Sequence, residues 1–401
     1  MMELQLRCNM QNDLQKLHAN IVIGDSRKMN ELHDQGIDLV ITSPPYWHIK
    51  DYGSQEQIGY GQSLHEYLED LFRVWKECFR LLKPGSRLCI NIGDQFMRSI
   101  IYGRYKIAPL HAEFIAQCEK IGFDYMGSII WQKKTTMNTT GGASVMGSYP
   151  FPPNGMVEID YEFILIFKKP GQKTASSEIK EKSKLTKEEW KEYFSGHWIF
   201  RGERQDEHVA MFPLELPSRL IKMFSFVGDI VLDPFLGSGT TAKAAIQLGR
   251  NTIGYEINKE FLNIIKNKLP NSALANYELD VIEQPVLGKL EKINGYSAGI
   301  QDAKPLIEPN KFNFENNRNY KVKEILDEKT ILLDSGLKVQ FIGINVPKDK
   351  VQTVLDYLNK YVKNKEVTIK FDQGAQVKEP LLANVTLKNG FVVNKELIKL
   401  L

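Results

Sequence analysis

Three short apolar runs in this chain each end on a carboxylate. They are Ile21-Val22-Ile23-Gly24-Asp25, Ile230-Val231-Leu232-Asp233 and the run from Asn251 to Glu256. Each has the length and branched apolar content of a buried strand. A helical pattern follows the second run, from Thr241 to Leu248, and another follows the third, from Lys259 to Lys268. Strands alternating with helices predict an α/β fold with a parallel, doubly wound sheet. In such sheets ligands bind beyond the carboxyl ends of the strands. Asp25, Asp233 and Glu256 are therefore candidates for one site.

The rest of the first 270 residues keeps this rhythm. Ile37 to Ile41 reads as a strand that stops where Pro44 and Pro45 forbid a ladder. Leu64, Leu68, Leu71, Trp75, Cys78, Phe79 and Leu82 share one helical face, and Lys83-Pro84-Gly85 predicts the stop. Strands are predicted at Arg87–Ile92, Tyr125–Gln132 and Tyr161–Phe167, and a helix at Pro109–Ile121 with Gly122 as its cap. Two stretches interrupt, one rich in small polar residues from Thr135 to Gly155 and one charged, then aromatic, from Gln172 to Phe200. Residues 270–318 read as a linker or wrapping arm. At 401 residues the chain is long enough for two domains. A net charge of +3 gives no global nucleic-acid signature, so any such surface must be local. Cys8, Cys78, Cys89 and Cys118 form no metal-binding spacing and read as reduced thiols. No apolar run is long enough for a membrane span and none forms a leader, which makes the cytoplasm the default expectation.

The loop Asp233-Pro234-Phe235-Leu236-Gly237-Ser238-Gly239-Thr240-Thr241 joins a strand to a helix. Gly237 and Gly239 permit a tight turn and close approach of a ligand. Gly237 to Ala242 also satisfies the dinucleotide fingerprint. Asp233 argues against a pyrophosphate, which it would repel, and for a cofactor bearing an ammonium and a sulfonium, S-adenosylmethionine. On this reading Glu256 accepts from the ribose hydroxyls and Asp25 from the adenine amino group.

Thr42-Ser43-Pro44-Pro45-Tyr46 suggests a pocket for an amino group on a planar ring. Such a nitrogen is a poor nucleophile because its lone pair is delocalised into the ring. Accepting bonds from its two N–H groups frees that pair. The Ser43 hydroxyl and the Pro44 carbonyl, held by rigid prolines, can be the acceptors, and Tyr46 can stack on a flipped base.

These motifs resemble the amino-type DNA methyltransferases of the β arrangement, in which the catalytic motif precedes the cofactor motif. The resemblance covers roughly residues 18 to 268. It implies a Rossmann-like methyltransferase sheet with Ser43, Pro44, Pro45 and Tyr46 as catalytic residues. It implies cofactor contacts from Asp25, Ser26, Thr42, Asp233, Pro234, Phe235, Gly237, Gly239, Thr240 and Glu256. His208 to Pro213, including Phe212, resembles the segment that packs under the methionine part. A target-recognition region is then expected at about 135–204, with Lys133, Lys134, Asn138, Arg201 and Arg204 as DNA contacts. Serine in the catalytic motif resembles the cytosine-N4 members, with adenine-N6 as the alternative. The resemblance implies double-stranded DNA as partner, a companion restriction endonuclease as the usual setting, a homodimer, and no metal.

From Tyr320 the texture changes to short strands around one helix, Lys350 to Val362, with Asn389-Gly390 as a hairpin signal. This predicts a small OB-like barrel. Leu337 to Pro347 and Asn389 to Asn394 resemble the staphylococcal nuclease family. Lys329, Asn345 and Lys348 stand where that family has carboxylates, and Gln340 and Pro380 where it has arginines. The resemblance therefore implies a nuclease-like fold without the nuclease chemistry. The expected organisation is a methyltransferase domain at 1–275, a linker at 276–318 and the barrel at 319–401.

Overall fold

The computed structural model describes residues 16–48, 52–54, 56–133, 152–202, 212–270, 276–288, 290–291, 293–306, 319–371 and 380–401. Two compact units emerge. Among the described residues, the first comprises those within 16–95, 109–133 and 158–302, and the second those within 96–108, 152–157 and 303–401.

The first unit is built on nine strands. In chain order these are β1 (Leu17–Ile23), β2 (Ile37–Thr42), β3 (Leu82–Ile92), β6 (Asp124–Lys133), β7 (Tyr161–Lys168), β8 (His197–Phe200), β9 (Ile230–Asp233), β10 (Asn251–Glu256) and β11 (Tyr277–Glu283). The numbers between fall on a separate two-stranded sheet, β4 (Gln95–Met97) with β5 (Lys106–Ala108). The sheet order is β11-β1-β10-β9-β2-β3-β7-β6-β8. Neighbours pair in parallel except where β7 lies antiparallel to both β3 and β6. The expected all-parallel sheet is thus mixed. β7 brings its beginning, not its end, to the edge where the other strands finish.

Helices cover both faces. Those of the first unit are α1 (Leu64–Leu81), α3 (Leu110–Ile121), α4 (Ser177–Lys182), α5 (Lys187–Tyr193), α6 (Glu215–Phe224), α7 (Thr240–Gln247) and α8 (Phe261–Lys268), while α2 (Ser99–Tyr102) belongs to the second unit. Leu216 and Leu220 of α6 and Ala244 and Ala245 of α7 pack with Leu39, Ile41, Cys89, Ile164 and Val231 on one face. The alternate residues Val40, Leu88, Ile90 and Leu165 are equally buried. Strands buried on both faces must be apolar throughout, which is why these runs do not alternate. The start of α1 is fixed by a capping box, in which Ser63 and Glu66 satisfy each other's backbone N–H.

Two local expectations are corrected. Lys83-Pro84-Gly85 does not separate α1 from a strand beginning at Arg87. β3 starts at Leu82, and the register with β2 jumps between Ile37 and Leu39, so the proline and glycine are taken up in a bulge. The expected linker is also shorter than 276–318. β11 completes the sheet edge beside β1, and Tyr296 stacks on Phe72 of α1 with centroids 4.4 Å apart. The Tyr296 hydroxyl donates to Glu113 of α3 at 2.8 Å.

The second unit contains a closed barrel, β12 (Tyr320–Ile325), β13 (Thr330–Leu333), β14 (Lys338–Phe341), β16 (Leu381–Leu387) and β15 (Glu366–Phe371), with β14 and β16 parallel. Helix α9 (Val351–Tyr361) connects β14 to β15, and α10 (Val393–Leu400) follows β16. Val354, Leu358, Val393 and Leu397 bury against Val322, Ile331, Val339 and Val385. This is the OB-like arrangement expected. Asn389-Gly390 makes the expected reversal, with Gly390 at φ 86° and an antiparallel bridge between Thr386 and Val392, before α10 begins.

Gly24 and Gln284 tie the late edge strand to the end of β1. The Gln284 carboxamide accepts from Asp25 N at 2.7 Å and donates to Lys28 O at 2.6 Å. A Cβ on Gly24 would lie 2.5 Å from Gln284 Cβ. Gly24→Ala should therefore destabilise the protein by about 1–3 kcal/mol. Adding Gln284→Gly, which removes that Cβ, should recover part of the loss, as read by urea denaturation. Wild-type stability of the single variant would show that this packing does not hold.

Candidate active site

Four parallel strands finish side by side, and the loops that follow them enclose one cavity. β1 contributes Gly24, Asp25 and Ser26, and β2 contributes Ser43, Pro44, Pro45 and Tyr46. The loop after β9 supplies Pro234, Phe235, Gly237 and Ser238. The end of β10 and the turn after it supply Glu256, Ile257 and Phe261. Tyr52, Gln57 and Ile58 close another side. The cavity, counted with its open mouth, holds about 870 Å³.

The two motifs are joined by Asp233. Its Oδ1 accepts from the Thr42 hydroxyl at 2.8 Å and from Phe235 N at 3.0 Å, and its Oδ2 from the Thr241 hydroxyl at 2.6 Å. It is 1% exposed, and burial raises its pKa to about 6 despite these three donors. The sequence expects this carboxylate to meet a cofactor's ammonium; in the structure it accepts from Thr42, Phe235 and Thr241 and does not line the cavity, and the Thr42 hydroxyl donates to it.

Glu256 does line the cavity. Gly237 N donates to its Oε2 and Asn258 N to its Oε1, each at 2.9 Å. Burial pushes its pKa up to about 7, against the effect of those amides. Asp25 also lines the cavity, but both its oxygens are held by Arg27, with Nη2 at 2.6 Å from Oδ2. Arg27 reaches on to Asp70 at 2.7 Å. The sequence suggests an unpaired acceptor at Asp25; the structure makes it half of an ion pair.

Several other sequence candidates sit away from the cavity wall. Gly239 is the N-cap of α7 at φ 88°, and a Cβ there would lie 3.2 Å from Ile265. Thr240 accepts from Lys268 Nζ at 2.7 Å. Phe212 packs against the apolar cluster shared by α6 and the sheet. Lys133, expected on DNA, is paired with the buried Glu162. Arg201 is exposed. Lys134, Asn138 and Arg204 lie outside the described residues.

The tetrapeptide Ser43–Tyr46 is braced from outside. The Tyr67 hydroxyl donates to the Pro45 carbonyl at 2.9 Å, and Gln95 Nε2 donates to Trp47 O at 2.7 Å. The Tyr46 hydroxyl donates to Glu162 Oε1 at 2.7 Å. Among the described residues no donor occupies the Pro44 carbonyl and no partner engages the Ser43 hydroxyl. Arg27, Tyr52, Gln57 and Glu162 escape a reading of the sequence alone. Glu162 alone carries a signal, as the one charge inside the otherwise apolar run Tyr161–Phe167.

Comparison with known proteins agrees with this geometry. The model of the N6/N4 DNA methylase family matches residues 37–267. The chain belongs to the DNA methylase family. It is 39% identical over 279 residues to the type II methyltransferase M.MjaI of Methanocaldococcus jannaschii, covering 62% of this chain and 90% of that protein. It is 35% identical to the type II methyltransferase M.MthZI of Methanothermobacter thermautotrophicus, covering 66% of this chain and 80% of that one. Among solved structures, a DNA modification methylase of Thermus thermophilus, crystallised with S-adenosyl-L-methionine, is 36% identical. It aligns with a TM-score of 0.54 over 68% of this chain and all of that one. The protein is accordingly a DNA methyltransferase, with the Rossmann-like sheet of that group.

In this DNA methylase Asp233 acts as a tie. Asp233→Ala strands two buried hydroxyls and an amide, and should cost about 2–5 kcal/mol of stability. Asp233→Asn, which keeps one acceptor, should cost less in the same urea titration. An Asp233→Ala protein of wild-type stability that had lost only cofactor binding would restore the direct-contact role.

Proposed function

We propose that this DNA methyltransferase moves a methyl group from S-adenosylmethionine to the exocyclic amino group of a base flipped out of duplex DNA, with cytosine N4 as the target. The observation that carries this reading is the single cavity joining Ser43–Tyr46 to Gly237 and Glu256. Adenine N6 is the alternative target. The setting is restriction–modification, as the names of the two type II relatives suggest.

The cavity suits the cofactor. Phe235, Ile257 and Phe261 offer apolar walls for a purine, and Glu256 offers a carboxylate to a ribose diol. A Cβ on Gly237 would meet nothing within 4 Å, so its glycine serves its φ of 53° rather than a tight wall. When bound, S-adenosylmethionine supplies a methyl group made electrophilic by its sulfonium. The residues of the chain do the rest. Ser43 and the Pro44 carbonyl accept from the base's amino group, so its lone pair turns towards the methyl carbon. Transfer from the sulfonium would leave the positive charge on the base's amino nitrogen, still held by Ser43 and the Pro44 carbonyl. The nitrogen then sheds one proton to water. No strong base is required, so catalysis here is positioning and electrostatics.

Arg201, directly after β8, is exposed and lies within the region expected to recognise the target, which supports it as a DNA contact. The barrel serves this reading as a binding or assembly module with a nuclease-like fold, not as a nuclease. A homodimer and a companion endonuclease complete the proposal.

Two measurements test it. Nucleosides from DNA methylated by the purified protein should contain N4-methylcytosine by mass spectrometry; N6-methyladenine instead would select the alternative. Cofactor affinity should also follow the ionisation of Glu256, whose pKa is about 7. The diol needs the carboxylate, so affinity should be level above pH 7 and fall about tenfold per unit below it. Glu256→Gln should bind weakly and without that slope in calorimetry. A wild-type profile that is flat between pH 6 and 8 would remove Glu256 from the cofactor site.

A further inference from the structure

A buried carboxylate stands behind the base pocket, and the chemistry above does not use it. Glu162 is the second residue of β7 and is 5% exposed. Its Oε1 accepts from the Tyr46 hydroxyl at 2.7 Å and pairs with Lys133 Nζ. Its Oε2 accepts from Asn91 Nδ2 at 2.7 Å. Asn91 lies in β3 and Lys133 ends β6, so one carboxylate gathers β3, β6 and β7 together with the loop after β2. Gly93 leaves room for it, since a Cβ there would come within 3.2 Å of Glu162 Cγ. Tyr46 lines the cavity, whereas Glu162 does not.

Resting on the base-methylation reading, we propose that Glu162 is a positioning residue for methyl transfer, acting through Tyr46. It fixes the tyrosine ring in the cavity wall and makes that ring a stronger partner for a base that is gaining positive charge. Two physical arguments support this. A buried carboxylate on an apolar strand is costly unless it is paired and hydrogen-bonded, and Lys133 and Asn91 meet that need without Tyr46. The tyrosine bond is the one that reaches the cavity. A phenol donating to a carboxylate also carries more electron density in its ring, and a cation over an electron-rich ring is held more tightly. Burial and Glu162 both push the Tyr46 pKa upward, so its hydroxyl stays a donor throughout the working pH range.

The test uses the full chain, S-adenosylmethionine, and duplex DNA carrying the site that the wild type methylates. Glu162→Leu should lower kcat about tenfold or more while leaving KM for S-adenosylmethionine within about twofold. Glu162→Gln, which keeps an uncharged acceptor, should fall between Glu162→Leu and wild type. Tyr46→Phe should lose as much as Glu162→Leu, and the double variant should lose no more than either single one. With 2-aminopurine at the target position, Glu162→Leu should keep the fluorescence rise of base flipping and change its quenching. A Glu162→Leu enzyme with wild-type kcat would overturn the proposal. So would losses that multiply in the double variant, or losses confined to KM and thermal stability. If the wild type transfers no methyl to DNA, the functional reading fails first, which distinguishes that failure from one of Glu162 alone.

Discussion

The active site depends on one buried carboxylate that lies behind the cavity wall. Asp233 binds Thr42 on one side and Thr241 and Phe235 on the other. β2 and β9 are neighbours in the sheet, with Leu39 opposite Val231 and Val40 opposite Leu232. Their ends would still be free to splay without a cross-tie. Hydrogen bonds to a charged acceptor are among the stronger ones available to a protein, and burial strengthens them further. The tie holds the tetrapeptide Ser43–Tyr46 against the glycine loop. Two motifs far apart in sequence thereby act as one surface. The burial that raises the Asp233 pKa also makes the tie demanding, because an unmet donor there has no water to turn to.

The second constraint is the reversed strand β7. Eight strands run one way, so their carboxyl ends define the ligand edge. A ninth running the same way would present Phe167 and Lys168 at that edge. Antiparallel to β3, it presents Tyr161 and Glu162 instead, with Ile92 opposite Phe163. The bond from Tyr46 to Glu162 exists only because of that reversal. β11 works similarly from the other side, since its end delivers Gln284 to Asp25 and so shapes the cavity from the late part of the chain.

Much of this was legible in the sequence, for a physical reason. Strands buried on both faces are continuous apolar runs, and the carboxylates that end them stand out against that background. β1, β2, β9 and β10, the amphipathic α1, and the glycine loop all follow from pattern. Direction and partnership did not. Nothing local in Tyr161–Phe167 tells whether the strand runs with or against its neighbours, because both faces are buried either way. β11 alternates weakly and carries Glu278, Asp280 and Glu283, so its run resembles a solvated arm until β1 is there to pair with it. Partners were not legible either: an acid at a strand end suggests a ligand contact, and nothing local announces that Asp233 also binds Thr42 and Thr241 or that Asp25 pairs with Arg27.

These pairings sharpen the electrostatics of the proposed reaction. Asp25 and Glu256 are the acids that line the cavity, and Asp25 is already neutralised by Arg27. Burial raises the Glu256 pKa to near neutrality, opposed by two backbone amides and by no ion-pair partner among the described residues. A cationic ligand entering such a cavity favours the charged form of the nearest unpaired carboxylate. Cofactor binding and the ionisation of Glu256 would therefore reinforce each other. On the proposed reading, Glu256 would hold a sulfonium-bearing cofactor more firmly than its neutral thioether product. The Asp233 tie, insulated from the cavity, keeps the geometry constant while that charge changes.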